Sequence, residues 1–134
     1  MQAWIHIPRL EVEGTLWFLA DTGADRTTLM PVDGLLIEVN YEKLEDGSKK
    51  TASGIGGSSD SFTEEAFVLF ADADDEVAYG YRIELAIIPP EDSNESIPSL
   101  LGRDIMKNWR IVFDQSENEL IAHVRRSDHE LSLN

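Results

Sequence analysis

Apolar and polar residues alternate with a period of two over much of this chain. That is a strand signature, because successive side chains leave a pleated strand on opposite faces. The clearest stretch runs from Val77 to Ile88, with Val77, Tyr79, Tyr81, Ile83, Leu85 and Ile87 on one face. Ala78, Gly80, Arg82, Glu84 and Ala86 take the other, and Pro89-Pro90 ends the ladder because proline has no N–H to donate. Thr63 to Phe70 reads as a second strand. Ile5 to Val12 and Thr15 to Ala20 read as a hairpin turning near Glu13-Gly14, and Ile111 to Phe113 with Glu119 to Val124 as another across the polar turn Asp114 to Asn118.

Helical signal is thin. Ile105, Met106 and Trp109 fall at helical spacing over Arg103 to Trp109, which predicts a helix of about two turns. Tyr41 to Leu44 predicts a further turn ahead of Asp46-Gly47, a turn dipeptide. Gly54 to Ser61 and Glu91 to Ser96 read as loops, and the polar tail from Arg125 to Asn134 as a frayed end. Many short strands with one short helix predict an all-β sandwich or barrel.

Composition narrows the function classes. At 134 residues the chain suits one domain. Eleven Lys and Arg against 26 Asp and Glu leave a net charge of −15, which repels phosphate backbones and anionic lipid. Nucleic acid and membrane are therefore not expected partners. The uninterrupted apolar run from Ala66 to Ala71 is far too short for a membrane span. The absence of Cys removes disulfides, thiolate metal sites and thiol nucleophiles, and fits a reducing cytoplasmic setting. The start Met1 to Pro8 has neither the basic nor the apolar stretch of a signal peptide.

Candidate chemistry begins where the apolar strand Leu16 to Ala20 runs into Asp21-Thr22-Gly23-Ala24-Asp25. A carboxylate there sits just past a buried strand, Gly23 lets the backbone fold tightly beside it, and the Thr22 hydroxyl can lock the loop. An ordinary strand exit uses the same residue types, and a given tripeptide occurs by chance in roughly one or two of a hundred chains this long. Two further segments add to it. Ser53-Gly54-Ile55-Gly56-Gly57-Ser58 is a glycine-rich loop without the Lys-Ser/Thr ending of a phosphate loop, better read as a hairpin tip. Leu100-Leu101-Gly102-Arg103-Asp104 sets an apolar pair and a glycine ahead of an Arg that opens the predicted helix.

In this order the three segments resemble the retropepsins, the aspartic proteases of retroviral type and their bacterial and cellular relatives, over roughly residues 5 to 113. The resemblance implies an acid-protease closed barrel with one short C-terminal helix and a glycine-rich flap hairpin. Residues 1–124 would form the domain and 125–134 a polar tail. It implies a homodimer in which each chain supplies one catalytic Asp21, with Thr22, Gly23 and Ala24 completing the active-site loop. Gly54, Ile55, Gly56 and Gly57 would form the flap, and Asp25 would pair with Arg103 as a buried tie worth about 3–5 kcal/mol when broken. Ala24, Ile55 and Leu100 are the expected substrate lining. The chain is longer between Asp21 and Gly102 than the compact retroviral enzymes, with the extra residues expected in Asp33 to Lys50 and Ala71 to Val77. It also continues past the helix into a hairpin.

The implied chemistry needs neither cofactor nor metal. Two Asp21 carboxylates meeting across a dimer axis cannot both ionise, so they share one proton. The ionised member takes a proton from water while the protonated one donates to the peptide carbonyl. Where pepsin-like relatives often place Ser or Thr, Ala24 offers no hydroxyl to stabilise the charged form, which points to a mildly acidic optimum. Two chains at −15 repel, so dimerisation should strengthen with salt or mild acid. The alternative is a module of the same fold that captures an extended peptide by backbone pairing without cutting it.

Other patterns carry less. Phe67 to Asp74 imitates an aspartyl-phosphate motif, but Glu76 stands where Thr or Val would be needed; Asp72, Asp74 and Glu76 lack the glycine of a calcium loop. His6, His123 and His129 are too scattered for zinc, Trp4, Trp17 and Trp109 suit core or dimer packing, and Asn94-Glu95-Ser96 reads as a polar loop.

Overall fold

The computed structural model describes residues 1–45, 49–54 and 57–133. β1 (Gln2–Ile7) and β2 (Val12–Trp17) pair antiparallel, Ile7 opposite Val12 and Gln2 opposite Trp17. Their connection is not at Glu13-Gly14, as alternation alone predicts. Pro8 opens a 3-10 turn over Pro8–Leu10, where its fixed φ and missing N–H cost nothing, and Glu11 closes it at φ 54°. Gly14 instead lies inside β2, where a Cβ would come 2.6 Å from Ile37 Cγ2.

β3 (Leu19–Ala20) and β4 (Thr28–Leu29) bracket the Asp21 loop. A helix absent from the sequence reading follows, α1 (Pro31–Leu36), with proline in its first turn and Asp33 in the same turn. The predicted turn is present as a 3-10 segment, Tyr41–Lys43, capped by the Asn40 side chain accepting from Glu42 N–H at 3.0 Å. β5 (Lys49–Gly54) and β6 (Gly57–Ala71) make a long antiparallel hairpin, and β7 (Val77–Ile87) pairs with β6 from Phe62–Ile87 to Ala71–Ala78. β8 (Leu100–Leu101), α2 (Arg103–Met106), β9 (Trp109–Asp114), β10 (Glu119–Val124) and β11 (His129–Ser132) complete the chain. α2 is shorter than predicted; Trp109 already belongs to β9.

The main sheet has nine strands in the order β2-β1-β6-β7-β4-β8-β3, with β5 on β6 and β11 on β7. The fold is mostly β, and the sheet curls into a half-barrel. Among the described residues no ladder joins β2 to β3, so this chain's strands do not form the closed barrel that the resemblance implies. The tail expected to fray is instead a strand. Asp128 N–H donates to Gly80 C=O at 3.0 Å, Arg82 N–H donates to Asp128 Oδ2 at 2.8 Å, and β11 runs along β7 from there. β11 also explains why Ala78 and Gly80, placed on the polar face by alternation, are buried.

The core lies inside the curl, with Ile5, Ile7, Leu16, Phe18, Leu29, Val68, Leu85, Ile87, Leu101 and Ile105 almost wholly shielded. Trp109 closes its base edge-on to Phe70 (5.0 Å, 88°), donating its Nε1–H to Tyr81 Oη at 2.7 Å while Tyr81 donates to Arg126 C=O at 2.8 Å. Burial holds the Tyr81 phenol above its ordinary value. Glu64 is the buried carboxylate of the sheet, 7% exposed, and Arg9 grips it through Nε at 2.9 and 3.0 Å and through Nη2. Arg9 Nη2 also donates to Lys43 C=O at 2.7 Å, which ties the turn ahead of the long hairpin to its base. No helix among the described residues is long and apolar enough to cross a membrane.

Candidate functional site

Two short parallel strands position the candidate carboxylate. Leu19 pairs with Leu100 and Ala20 with Leu101, and the ladder continues through Leu19 N–H to Ser99 C=O (2.9 Å) and Asp21 N–H to Leu101 C=O (3.0 Å). Asp21 is therefore the first residue beyond β3, its backbone fixed and its side chain only half-buried. The chain folds back at once. Ala24 N–H donates to Asp21 C=O at 3.1 Å, and Gly23 N–H donates to Asp21 Oδ1 at 2.9 Å. A Cβ on Gly23 would lie 3.2 Å from Asp21 Oδ1, so a side chain there would press on the carboxylate. Thr22 is exposed, and no hydrogen bond of its hydroxyl occurs among the described residues.

α2 clasps this loop from below. Arg103 N–H donates to Ala24 C=O at 2.8 Å and Asp104 N–H to Asp25 C=O at 3.2 Å. The predicted pair forms: Arg103 Nη2 bonds Asp25 Oδ1. It is not buried, however, since the side chains are 56% and 81% exposed. The burial is one layer down, in residues that the sequence reading missed. Thr27 is fully buried; its hydroxyl donates to Asp104 Oδ1 at 2.7 Å and accepts from Gly102 N–H at 3.1 Å. Thr27 N–H reaches both Asp104 oxygens at 3.0 Å, and Ile105 N–H donates to Asp104 Oδ1 at 2.9 Å. Gly102 is obligatory, because a Cβ would come 2.4 Å from Arg26 C and 2.8 Å from Thr27 N, both backbone.

Arg26 fastens the loop sideways, donating through Nη2 to Thr63 Oγ1 and to Glu84 C=O, each at 3.0 Å. The loop is thereby joined to α2, β6 and β7. Of the predicted lining, Ala24 and Leu100 are half-buried beside the loop. Leu19, not predicted, is 56% exposed and by strand alternation lies on the Asp21 side of β3. Gly54 and Gly57 face each other where β5 meets β6, so a hairpin stands where one was expected; Ile55 and Gly56 lie outside the described residues.

The remaining patterns resolve as structure. Asp72 Oδ1 accepts from Glu76 and Val77 N–H at 2.8 and 3.2 Å, closing an acidic turn, and no group of His, Asp and Glu among the described residues is arranged to hold a metal. Asn94 is buried, accepting from Glu91 N–H at 2.9 Å and donating to Pro89 C=O at 3.1 Å. His6 stacks between Trp4 and Phe67 (5.7 and 6.5 Å), beside a groove of about 370 Å³ lined by His6, Pro8, Glu11, Val12 and Glu13 that holds none of the candidate residues. No protein-family model matches this chain, and no curated protein matches it.

Proposed function

We infer that the chain is one half of a homodimeric aspartic endopeptidase of retropepsin type, with Asp21 as its catalytic carboxylate. The observation that carries this reading is a half-exposed carboxylate in a turn fixed on every side. It sits at the end of two parallel strands, held by Gly23 N–H and braced through the loop carbonyls by α2. Electrostatic catalysis rewards groups already held where they will act, since no reorganisation is then needed at the moment of reaction. Two such turns facing each other would bring two Asp21 carboxylates together, sharing one proton. One carboxylate would deprotonate the attacking water while the other donates to the scissile carbonyl; collapse of the tetrahedral species would expel the amine with a returned proton. Ala24, Leu19 and Leu100 would line the cleft, and the β5–β6 hairpin with Gly54 and Gly57 would cover it as a flap.

The test is cleavage of a degenerate peptide pool between roughly pH 4 and 7 at high protein concentration, wild type against Asp21→Asn. Cleavage by the wild type alone is expected. Dimers that retain peptide but cut nothing would replace the enzyme with the peptide-binding module.

A further inference from the structure

β9 and β10 form a two-stranded sheet apart from the main one, and among the described residues β9 pairs with β10 alone. Two-stranded hairpins are marginal alone in water, and here Trp109, Ile111, Ala122 and Val124 pack the hairpin on the core. It still leaves Phe113 58% and Ile121 43% exposed. Natural edge strands are blunted by proline, lysine or a bulge, and β9, Trp-Arg-Ile-Val-Phe-Asp, has none of these.

The order of residues along β9 is self-complementary. A twofold axis perpendicular to a sheet keeps each face on itself, so opposed residues must share parity and the axis must pass through a residue. With the axis at Val112, Arg110 faces the partner's Asp114 and Asp114 faces the partner's Arg110. Ile111 meets the partner's Phe113 on one face, and Val112 meets its own copy on the other. Aromatic with β-branched and cation with anion are the favourable cross-strand combinations. With the axis at Ile111, Arg110 would oppose an apolar valine instead. Both charges are available: Arg110 is exposed with no ion pair among the described residues, and Asp114, which accepts at Oδ1 from Ser116 Oγ at 2.7 Å and Glu117 N–H at 3.3 Å, has no cationic partner among them. The strand also adjoins the candidate loop, since β9 begins just after α2, the element bonded to Ala24 and Asp25.

We propose that a second copy of this chain pairs its β9 antiparallel to β9 about a twofold axis at Val112, giving a four-stranded β10-β9-β9-β10 sheet. The proposal rests on the homodimer reading above and assigns its surface.

The absence of cysteine makes the test direct. Opposed Cα atoms in an antiparallel pair lie roughly 4.5–5.5 Å apart, within disulfide reach. Val112→Cys should therefore cross-link to its own copy on mild oxidation. Ile121→Cys, on β10, tests the rival axis that would oppose Glu119 to His123, and should cross-link far less. Arg110→Asp and Asp114→Arg should each weaken the sedimenting dimer about tenfold or more by opposing like charges, and the double swap should restore it. All are made in the Asp21→Asn background, with cleavage followed separately in the wild type. A wild type that cuts and sediments as a dimer, with no cross-link at Val112→Cys and no rescue by the double swap, overturns this interface alone. Cross-linking and rescue without any cleavage keep the interface and remove the protease. A chain that stays monomeric removes both.

Discussion

Two sets of side-chain contacts join the Asp21 loop to α2, and they differ in depth. At the surface, Arg103 holds Asp25 with both side chains more than half exposed. Beneath it, Thr27, Gly102 and Asp104 form a buried network of neutral and charged hydrogen bonds. The surface pair has the more obvious chemistry, yet water competes for both partners, and exposed pairs contribute about 0–1 kcal/mol. The buried network exchanges solvent for partners that cannot leave, and any member lost strands the others. The rigidity of the candidate site therefore comes from a threonine and a glycine more than from the ion pair.

The comparison breaks most visibly at Gly102. Gly102→Ala drives a Cβ into the Arg26–Thr27 backbone, which must shift, and should cost about 3 kcal/mol, the upper end for overpacking. Thermal denaturation would read this as a fall of roughly 10 °C for a chain this size. A fall of only a degree or two would mean that the seam between loop and helix is looser than described.

Next is a more deeply set arginine–carboxylate contact, Arg9 with Glu64, which separates depth from chemistry. Arg9→Ala leaves Glu64, 7% exposed, without its cation. Because Arg9 itself is 40% exposed, the loss should be about 2 kcal/mol, below the usual range for a fully buried pair. Replacing both residues together, Arg9→Met with Glu64→Leu, should recover much of that loss. If Arg9→Ala costs no more than Arg103→Ala, burial is not what distinguishes the two pairs.

Thr27→Val is nearly isosteric and removes only the hydroxyl, leaving Gly102 N–H without its acceptor and Asp104 with one donor fewer. About 1–2 kcal/mol should be lost, and any peptide cleavage of the kind proposed for Asp21 should fall with it. Arg103→Ala should cost under about 1 kcal/mol in denaturant, revising the buried-pair figure that the motif alone suggests. A larger loss appearing only where the chain dimerises would place that pair at the subunit boundary.

The same contrast explains what could be read from sequence. Strands held by apolar burial, such as β6, β7 and the β9–β10 hairpin, declare themselves by alternation. β11 is exposed along its length and held by the ladder to β7, so it has no apolar face to show. The Asp21 turn and the Asp25–Arg103 pair were legible through the order of three motif segments and the resemblance they carry, because Asp beside Gly is by itself an ordinary strand exit. Thr27 was not: it sits among polar neighbours, and its partner Asp104 lies 77 residues away. The turn at Pro8 and helix α1 did carry a local signal, a proline at a first helical position, which the alternation around them obscured.

The smallest effect tests the hairpin. Ser116 Oγ–H and the Glu117 N–H hold the Asp114 carboxyl below its ordinary value of 3.8. A carboxyl depressed on folding stabilises the folded state above its unfolded value, and that contribution is lost as pH falls through the lower, folded one. Asp114→Asn should therefore lower the melting temperature slightly at neutral pH, and the gap to wild type should close as the solution is acidified below 3.8. Making the comparison in a Val112→Lys background, where opposed ammonium groups stay charged throughout the acid range and prevent the proposed pairing of β9 strands, confines it to the turn. A gap that persists or widens in acid would mean that the side-chain bonds at Asp114 do not hold the turn.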